Sequence, residues 1–486
     1  MAFAAGIAQA APKFEDMSDR LPPHVYGGGW EHFVGGGVAV FDCNNDALPD
    51  IFAAGGANPA TLIRNTGDFV FDPVAIKPMT GVTGAYPIDI DADGLIDLFV
   101  MRAGANVILR GTGACGFEDV TQDWMPAQAN AWTTAFTAWW EGGARPVFAL
   151  GNYVDRADPD GPFEACDDNR ILRWEGAAYV AEDLTPGFCP LSILAARDAR
   201  GRMALRLSND RHYYVKGGYE QMWNIAERRF LGQDDGWPRV SLWGMGIASR
   251  DLNGDGRDDV MLTSMGDQVL HFGQADGGYR AADFSLGTYA QRPHVGGDGR
   301  PSTGWHAEFG DVDNDGRADL FIAKGNVDQM PGMAMDDPNN LLMQRSDGRF
   351  EEVSANAGVA SLTRSRGAAL VDFDLDGRLD LIVSNRRAPL ELYRNVTPET
   401  GKWITVEVRQ AGGNRNAIGA VISVQSGDRS QSIQQVIGGG HAGGQLLPRH
   451  FGLGDAATAR ITVAWPDGTM TQVQAAAGAR VVVEKP

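Results

Sequence analysis

The feature that most restricts the fold is a short acidic loop that occurs five times, each time between two apolar, β-branched runs. Its clearest copy is RGAALVDFDLDGRLDLIVSN, Arg366 to Asn385, where Asp372, Asp374, Asp376 and Asp380 stand at positions 1, 3, 5 and 9. Gly377 at position 6 permits a sharp turn. Oxygen donors at this spacing can be aimed at one centre, the environment a hard cation such as Ca2+ takes. The ninth position closes the loop, and Leu381-Ile382-Val383 then reads as strand. A metal loop inside a β-hairpin is therefore expected.

The other copies use Asp42, Asn44, Asp46 and Asp50; Asp89, Asp91, Asp93 and Asp97; Asp251, Asn253, Asp255 and Asp259; and Asp311, Asp313, Asp315 and Asp319. Position 7 is Leu48, Leu95, Arg257, Arg317 or Arg378, a variety that fits a residue giving only its backbone carbonyl. Up to five Ca2+ ions are expected, with the weakest at the first loop, where Ala47 replaces the glycine. Two further copies lack the carboxylates. One has Ala138, Trp140 and Gly142 at ligand positions, and the other has Ala196, Asp198, Arg200 and Ala204. These are expected to be metal-free. The seven copies begin at 42, 89, 138, 196, 251, 311 and 372, a period of roughly 50–60 residues that points to a propeller or solenoid.

A second signature follows each loop: an apolar pair ending in Arg or a substitute, a turn, then an aromatic, as in TLIRNTGDFVF and LLMQRSDGRFEEVS. It reads as the outer hairpin of a four-stranded blade. The seventh repeat begins it with LELYRN but has no aromatic strand, whereas KFEDMSDRL at Lys13–Leu21 resembles GFEDVTQ and RFEEVSANAGV of other repeats. The expected fold is all-β: a seven-bladed β-propeller closed by an N-terminal strand, which removes exposed edges between first and last blades, plus a small C-terminal β-domain.

The loops resemble FG-GAP/VCBS repeats of the kind found in integrin α propellers. The segment NRNAIGAVISVQSGDRSQSIQQVIGGGHAGGQLLPRHFGLGDAATARITVAWPDGTM resembles the ASPIC/UnbV domain. The pairing of the two is similar to that of bacterial relatives of cartilage acidic protein 1. The resemblance implies architecture more than activity. The expected divisions are a signal-like or disordered 1–11, a propeller over 12–396, and an ASPIC/UnbV-like β-domain over 402–486 after the linker NVTPETGK.

The net charge is −20, and eighteen carboxylates stand at the ligand positions of the five loops. Nucleic acid is excluded as a partner, since no basic stripe is present to neutralise phosphates. No apolar run is long enough for a transmembrane helix. Ala8-Gln9-Ala10 has the small-x-small form of a signal cleavage site, and loops of this type suit calcium-rich surroundings, so a periplasmic or secreted protein is expected. Four cysteines permit two disulfides in three connectivities. Cys166–Cys189 is favoured because it would brace the metal-free blades, leaving Cys43 and Cys115 as the remaining pair.

Beyond cations, Trp30, Trp132, Trp243 and Trp305 each precede an inner strand and are expected near the central mouth, where aromatics bind sugar or peptide. His32, His306, Glu308 and Arg366 lie on or beside inner strands. The primary expectation is an exported calcium-binding propeller serving as a binding or adhesion scaffold for a protein or glycan. The alternative is an enzyme acting in the central channel on polysaccharide or a secondary metabolite. No catalytic residue is assigned, since GxSxG, HExxH and phosphate-loop motifs are all missing.

Overall fold

The computed structural model describes residues 11–158, 165–210 and 218–486. The Ala8-Gln9-Ala10 cleavage-site expectation lies outside the described residues. Seven sheets follow one another around the chain, each built on four antiparallel strands, and we refer to them as blades 1 to 7. Blade 1 consists of Val38–Phe41, Asp50–Ala53, Thr61–Asn65 and Phe71–Val74. The inner strands of blades 2 to 7 are Val82–Ile88, Thr133–Trp139, Pro190–Arg197, Gly244–Arg250, Gly304–Gly310 and Arg364–Val371. Each inner strand packs on the next, and Val38–Phe41 packs on Arg364–Val371, so the sheets form a closed ring. The inner strands are almost wholly buried, which matches their continuous apolar character.

Closure comes from the N-terminus. Phe14–Asp16 pairs antiparallel with Glu391–Asn395, with Phe14 opposite Asn395, and supplies the fourth strand of blade 7. The Val396 amide donates to the Lys13 carbonyl (2.8 Å), and the Met17 amide to that of Leu392 (2.8 Å). The Phe14 side chain is buried with Val353, Leu381 and Tyr393 at the junction of blades 6 and 7. Both disulfides form, and each ties neighbouring blades. Cys43–Cys115 links the first loop to the outer hairpin of blade 2, and Cys166–Cys189 links blades 3 and 4.

Beyond the ring, Arg449–Gly454, Lys402–Arg409 and Arg480–Glu484 form one sheet, and Arg429–Gln434, Val421–Ser426, Thr458–Ala464 and Met470–Ala476 another. They share a core of Ile404, Val406, Ile422, Phe451, Ile461, Val463 and Trp465. The segment 437–447 leaves these sheets and enters the ring's channel. There it touches all seven inner strands. Bridges join Ile437 to Ala138, Gly438 to Leu194, Gly440 to Ile247 and Gly443 to Ala85. Gln445 pairs parallel with Val40, the His441 amide donates to His306 Nδ1 (3.1 Å), and Gln445 Nε2 donates to the Leu370 carbonyl (3.2 Å). Glycine is required by this proximity: a Cβ at Gly443 would sit 2.1 Å from the Val38 carbonyl oxygen.

Phe14→Ala should lower unfolding free energy by about 3–5 kcal/mol through the lost burial and the cavity left behind. Phe284→Ala, at a residue 78% exposed, should change it little. Urea unfolding of both variants checks the closing strand's contribution.

Candidate functional site

The five acidic loops connect the first and second strands of blades 1, 2, 5, 6 and 7, at the end of each inner strand. One hydrogen-bond scheme recurs in all of them. The position-9 carboxylate accepts the amide of position 2 on one oxygen and an amide of the third strand on the other. Asp380, for instance, takes Phe373 N (2.9 Å) and Asn395 N (2.8 Å). Asp50, Asp97, Asp259 and Asp319 repeat the pair. The position-1 carboxylate accepts the position-6 amide, as in Gly377 N to Asp372 (2.9 Å), and position 5 accepts the amide of position 7. Gly377 has φ +88°, and a Cβ there would meet the Trp403 indole at 1.7 Å, so glycine serves both the turn and the packing.

This backbone grip crowds the carboxylates. Oxygens of Asp89, Asp91 and Asp97 lie within 4.8 Å of one another, as do those of Asp311, Asp313 and Asp315, and of Asp372, Asp374 and Asp380. Burial, with neighbouring carboxylates adding to it, pushes Asp50, Asp97, Asp259 and Asp372 up to about 7 and Asp89 to about 6. Asp311, Asp319 and Asp380 rise well above the ordinary value for the same reasons. Asp89 Oδ1 and Asp374 Oδ1 are buried without a hydrogen-bond partner. Closely set, buried, under-satisfied carboxylate oxygens are the donor set that a hard divalent cation fits. Arg110 bonds Asp91 (2.8 Å) and Asp93 (3.1 Å), and Arg394 bonds Asp374 (2.6 Å). The arginine ending the third strand thus answers part of the loop charge in blades 2 and 7.

The two degenerate loops show what stands where carboxylate clusters are missing. In blade 4, Asp198 is held by the Arg202 guanidinium (2.8 and 3.0 Å) within its own turn. In blade 3, the Arg145 guanidinium lies 4.2 Å from the Trp124 ring and 4.5 Å from that of Trp174, and Glu141 pairs with Arg173 (3.0 Å). In each turn a remaining carboxylate is paired with an arginine. The spacing of Arg202 four residues after Asp198 is the signal that could have revealed the first of these.

The C-terminal sheets rest on the loop end of the ring. Gly401 N donates to Asp313 O (2.9 Å), Gly454 N to Asn314 O (2.8 Å), and Arg429 to Asp315 O (2.7 Å). Arg415 stands 3.8 Å from Asp89. From here the glycine-rich segment carries His441 up the channel. His441 is fully buried, edge-on to Trp305 at 5.0 Å, with Nε2 accepting the Gly35 amide (3.2 Å) and Nδ1 facing the Met245 carbonyl (3.4 Å). His306 and Glu308 approach each other at 3.4 Å. Both also hold the inserted segment: His306 Nδ1 accepts the His441 amide, and Glu308 accepts from the Gln445 side chain and from Leu370 N (3.1 Å). Beneath the segment a cavity of about 220 Å3 remains, lined by Glu308, Arg250, Arg449 and His450 among others.

At the opposite end of the channel the described residues leave a second cavity. Of about 450 Å3, it is lined by Trp30, Phe33, Tyr153, Trp243, Met245, Met265, Val327 and Met330, with Asp210, Asp328, Arg386 and Arg387 as its charged groups. Trp30 is 44% exposed and packs on Phe33 at 4.7 Å. Of the residues expected at the mouth, Trp30 and Trp243 line this cavity. Trp132 and Trp305 are buried beneath it, His32 is buried with Nδ1 on the Glu31 carbonyl (2.7 Å), and Arg366 lies over the Trp305 ring at 3.9 Å. Sequence reasoning missed Tyr153, the three methionines and the Arg386–Arg387 pair. Of these, Met245 sits in a register shift early in its inner hairpin, at 244/247.

With ring, loops and mouth in view, the class is an FG-GAP-type β-propeller joined to an ASPIC/UnbV segment. Residues 42–100 and 251–322 match the FG-GAP-like repeat, and residues 410–485 match the ASPIC and UnbV family. The chain is homologous, at weak identity, to cartilage acidic protein 1. The Xenopus tropicalis protein is 26% identical over 515 residues, covering 95% of this chain and 75% of the relative. The Homo sapiens protein is 26% identical over 241 residues, 48% of this chain. The match spans 35% of the human and 34% of the Mus musculus relative's length. Among solved structures, BBS1N in complex with ARL6DN aligns with a TM-score of 0.48 at 11% identity, over 81% of this chain and 99% of that one.

His441 makes a pH prediction. Burial, then the nearby Arg366, lower it to about 3 against the opposing backbone hydrogen bonds to Met245 and Gly35. A base depressed in the folded state contributes stability above its unfolded value, near 6.5, and loses it as pH falls from there toward 3. The parent protein should therefore lose more melting temperature between pH 7.5 and pH 5 than His441→Gln does. Parallel pH-dependent thermal scans read the difference.

Proposed function

We propose that this protein is an exported binding scaffold whose propeller is held rigid by divalent cations, calcium foremost, in the loops of blades 1, 2, 5, 6 and 7, and which takes its ligand at the mouth facing away from them. The observation that carries the reading is the two-ended channel. One end is covered by the C-terminal sheets and filled by 437–447, and the other keeps an aromatic-lined cavity of about 450 Å3, within the size range of small-molecule sites. The cation ligands would be the carboxylates and amides at positions 1, 3, 5 and 9, with the position-7 carbonyls of Leu48, Leu95, Arg257, Arg317 and Arg378. Cations there neutralise buried charge and fix the ends of the inner strands, so the mouth residues hold their places.

Export is supported by the two disulfides, which persist in oxidising compartments. No helix among the described residues is long and apolar enough to cross a membrane.

Two measurements test the cation part. Chelation by EGTA should lower the melting temperature, because each site saturated at about 1,000 times its Kd adds about 4 kcal/mol. Asp376→Ala should weaken calcium binding at one site only and shrink the EGTA-induced shift. Melting that ignores EGTA, or an Asp376→Ala protein with an unchanged shift, contradicts the reading.

A further inference from the structure

On one side of the mouth cavity, guanidinium groups crowd around a single carboxylate. Arg364, Arg386 and Arg387 surround a single carboxylate, Asp328, at 3.7, 3.7 and 2.9 Å. Arg386 is buried, its other guanidinium bonds go to the His32 and Gly28 carbonyls, and its Nε–H has no acceptor. Below the cavity floor lies a fourth guanidinium. Arg366 is fully buried and donates only to backbone carbonyls, those of Phe33 (3.1 Å), Ser365 (2.9 Å), Asn326 (3.2 Å) and Val327 (2.6 Å). Phe33 and Val327 are themselves cavity walls. Across the cavity stands Asp210, which accepts the Tyr153 hydroxyl. Among the described residues, Asp328 therefore answers three guanidiniums, two of which, Arg386 and Arg387, line the cavity.

Desolvated cations without counter-ions are costly, and guanidinium groups left with spare donors are matched by planar anions. The rest of the cavity is apolar and aromatic: Trp30, Phe33, Tyr153, Trp243, Met245, Met265 and Met330. Sugars need polar partners spread around the ring of hydroxyls, whereas apart from the Tyr153–Asp210 pair the polar side chains lining this cavity, Asp328, Gln329, Arg386 and Arg387, come from two segments held together by ion pairs. Methionines adapt to irregular apolar shapes.

Resting on the reading of the mouth as the ligand site, we infer that the cavity binds a small organic anion: an apolar or aromatic body seated among Trp30, Phe33, Trp243 and the methionines, with one anionic group directed to the Arg386–Arg387 side. Arg387 is the accessible member, its side chain 45% exposed, so it meets the anion as it enters, and Arg386 holds it at depth.

The test uses the full chain and two fluorescent probes with the same aromatic body. One is 8-anilinonaphthalene-1-sulfonate, which carries the anion, and the other is N-phenyl-1-naphthylamine, which does not. N-Acetylglucosamine serves as the competing sugar. The sulfonate should bind with one-to-one stoichiometry and about tenfold or more tighter than the neutral probe, the value of one charge-assisted hydrogen bond. Arg387→Gln should erase most of that ratio and leave the neutral probe unchanged. Trp30→Ala, at an exposed ring, should weaken both probes by about tenfold or more. Both variants lie at the rim, and unchanged circular dichroism and melting establish that they fold. Equal affinities for the two probes, with Trp30→Ala still weakening both, overturn the anion and leave the mouth as a ligand site. Displacement of both probes by N-acetylglucosamine does the same. Probe binding indifferent to Trp30→Ala overturns the anion and the mouth site together.

Discussion

A carboxylate held from both sides is the interaction on which the ring depends. At Asp50, Asp97, Asp259, Asp319 and Asp380, each oxygen accepts one backbone amide, one from the loop and one from the third strand. This binds three strands and a turn at a single residue. It also places a buried charge beside two or three others, since position 1 must accept the position-6 amide to shape the turn. The geometry that builds the hairpin is thus the geometry that gathers negative charge. Such a cluster is stable either protonated or with a cation, and the raised values of these carboxyl groups express that conflict. In blades 3 and 4 the turn keeps a single paired carboxylate instead, Glu141 with Arg173 and Asp198 with Arg202.

The two ends of the channel differ because the inner strands are polar in their use. Their trailing ends carry the acidic loops, which bind the C-terminal sheets through backbone carbonyls such as those of Asp313 and Asn314. Their leading ends carry register shifts and large side chains, Met245, Trp305 and Arg366 among them. The inserted segment 437–447 divides the two regions, and its glycines allow main chain to pack directly against main chain. His441 at its tip reaches the layer beneath the mouth and is kept neutral by burial. A change at the loops therefore has a continuous packed route, through the C-terminal sheets and His441, to Met245, which lines the mouth cavity.

Much of the architecture was legible because it is repetitive. Seven copies of one loop, two of them short of carboxylates, defined the blades, and the likeness of Lys13–Leu21 to later outer strands placed the closing strand. Cysteine positions around the two degenerate loops gave the 166–189 pair. What stayed hidden depends on contacts between residues distant in sequence. The glycine-rich run Ile437–Leu447 carries no local sign of its place, and only the ring shows that it lies against Val38, Ala85 and Ile247. Arg386 and Arg387 look like a solvated strand end, yet Arg386 is buried against Gly28 and His32. His306, Glu308 and Arg366 were expected to converge in the channel. They do lie there, but they spend their hydrogen bonds on holding His441, Gln445 and the chain at Phe33.

The central claim is that clustered loop carboxylates are cation sites built into the blades. Native mass spectrometry of the intact protein, exchanged into volatile buffer with micromolar calcium, counts the ions directly. The account predicts at least three calcium ions per chain, at the loops beginning with Asp89, Asp311 and Asp372, and up to five as calcium is raised. A chain that keeps the mass of the bare polypeptide across the titration would contradict it.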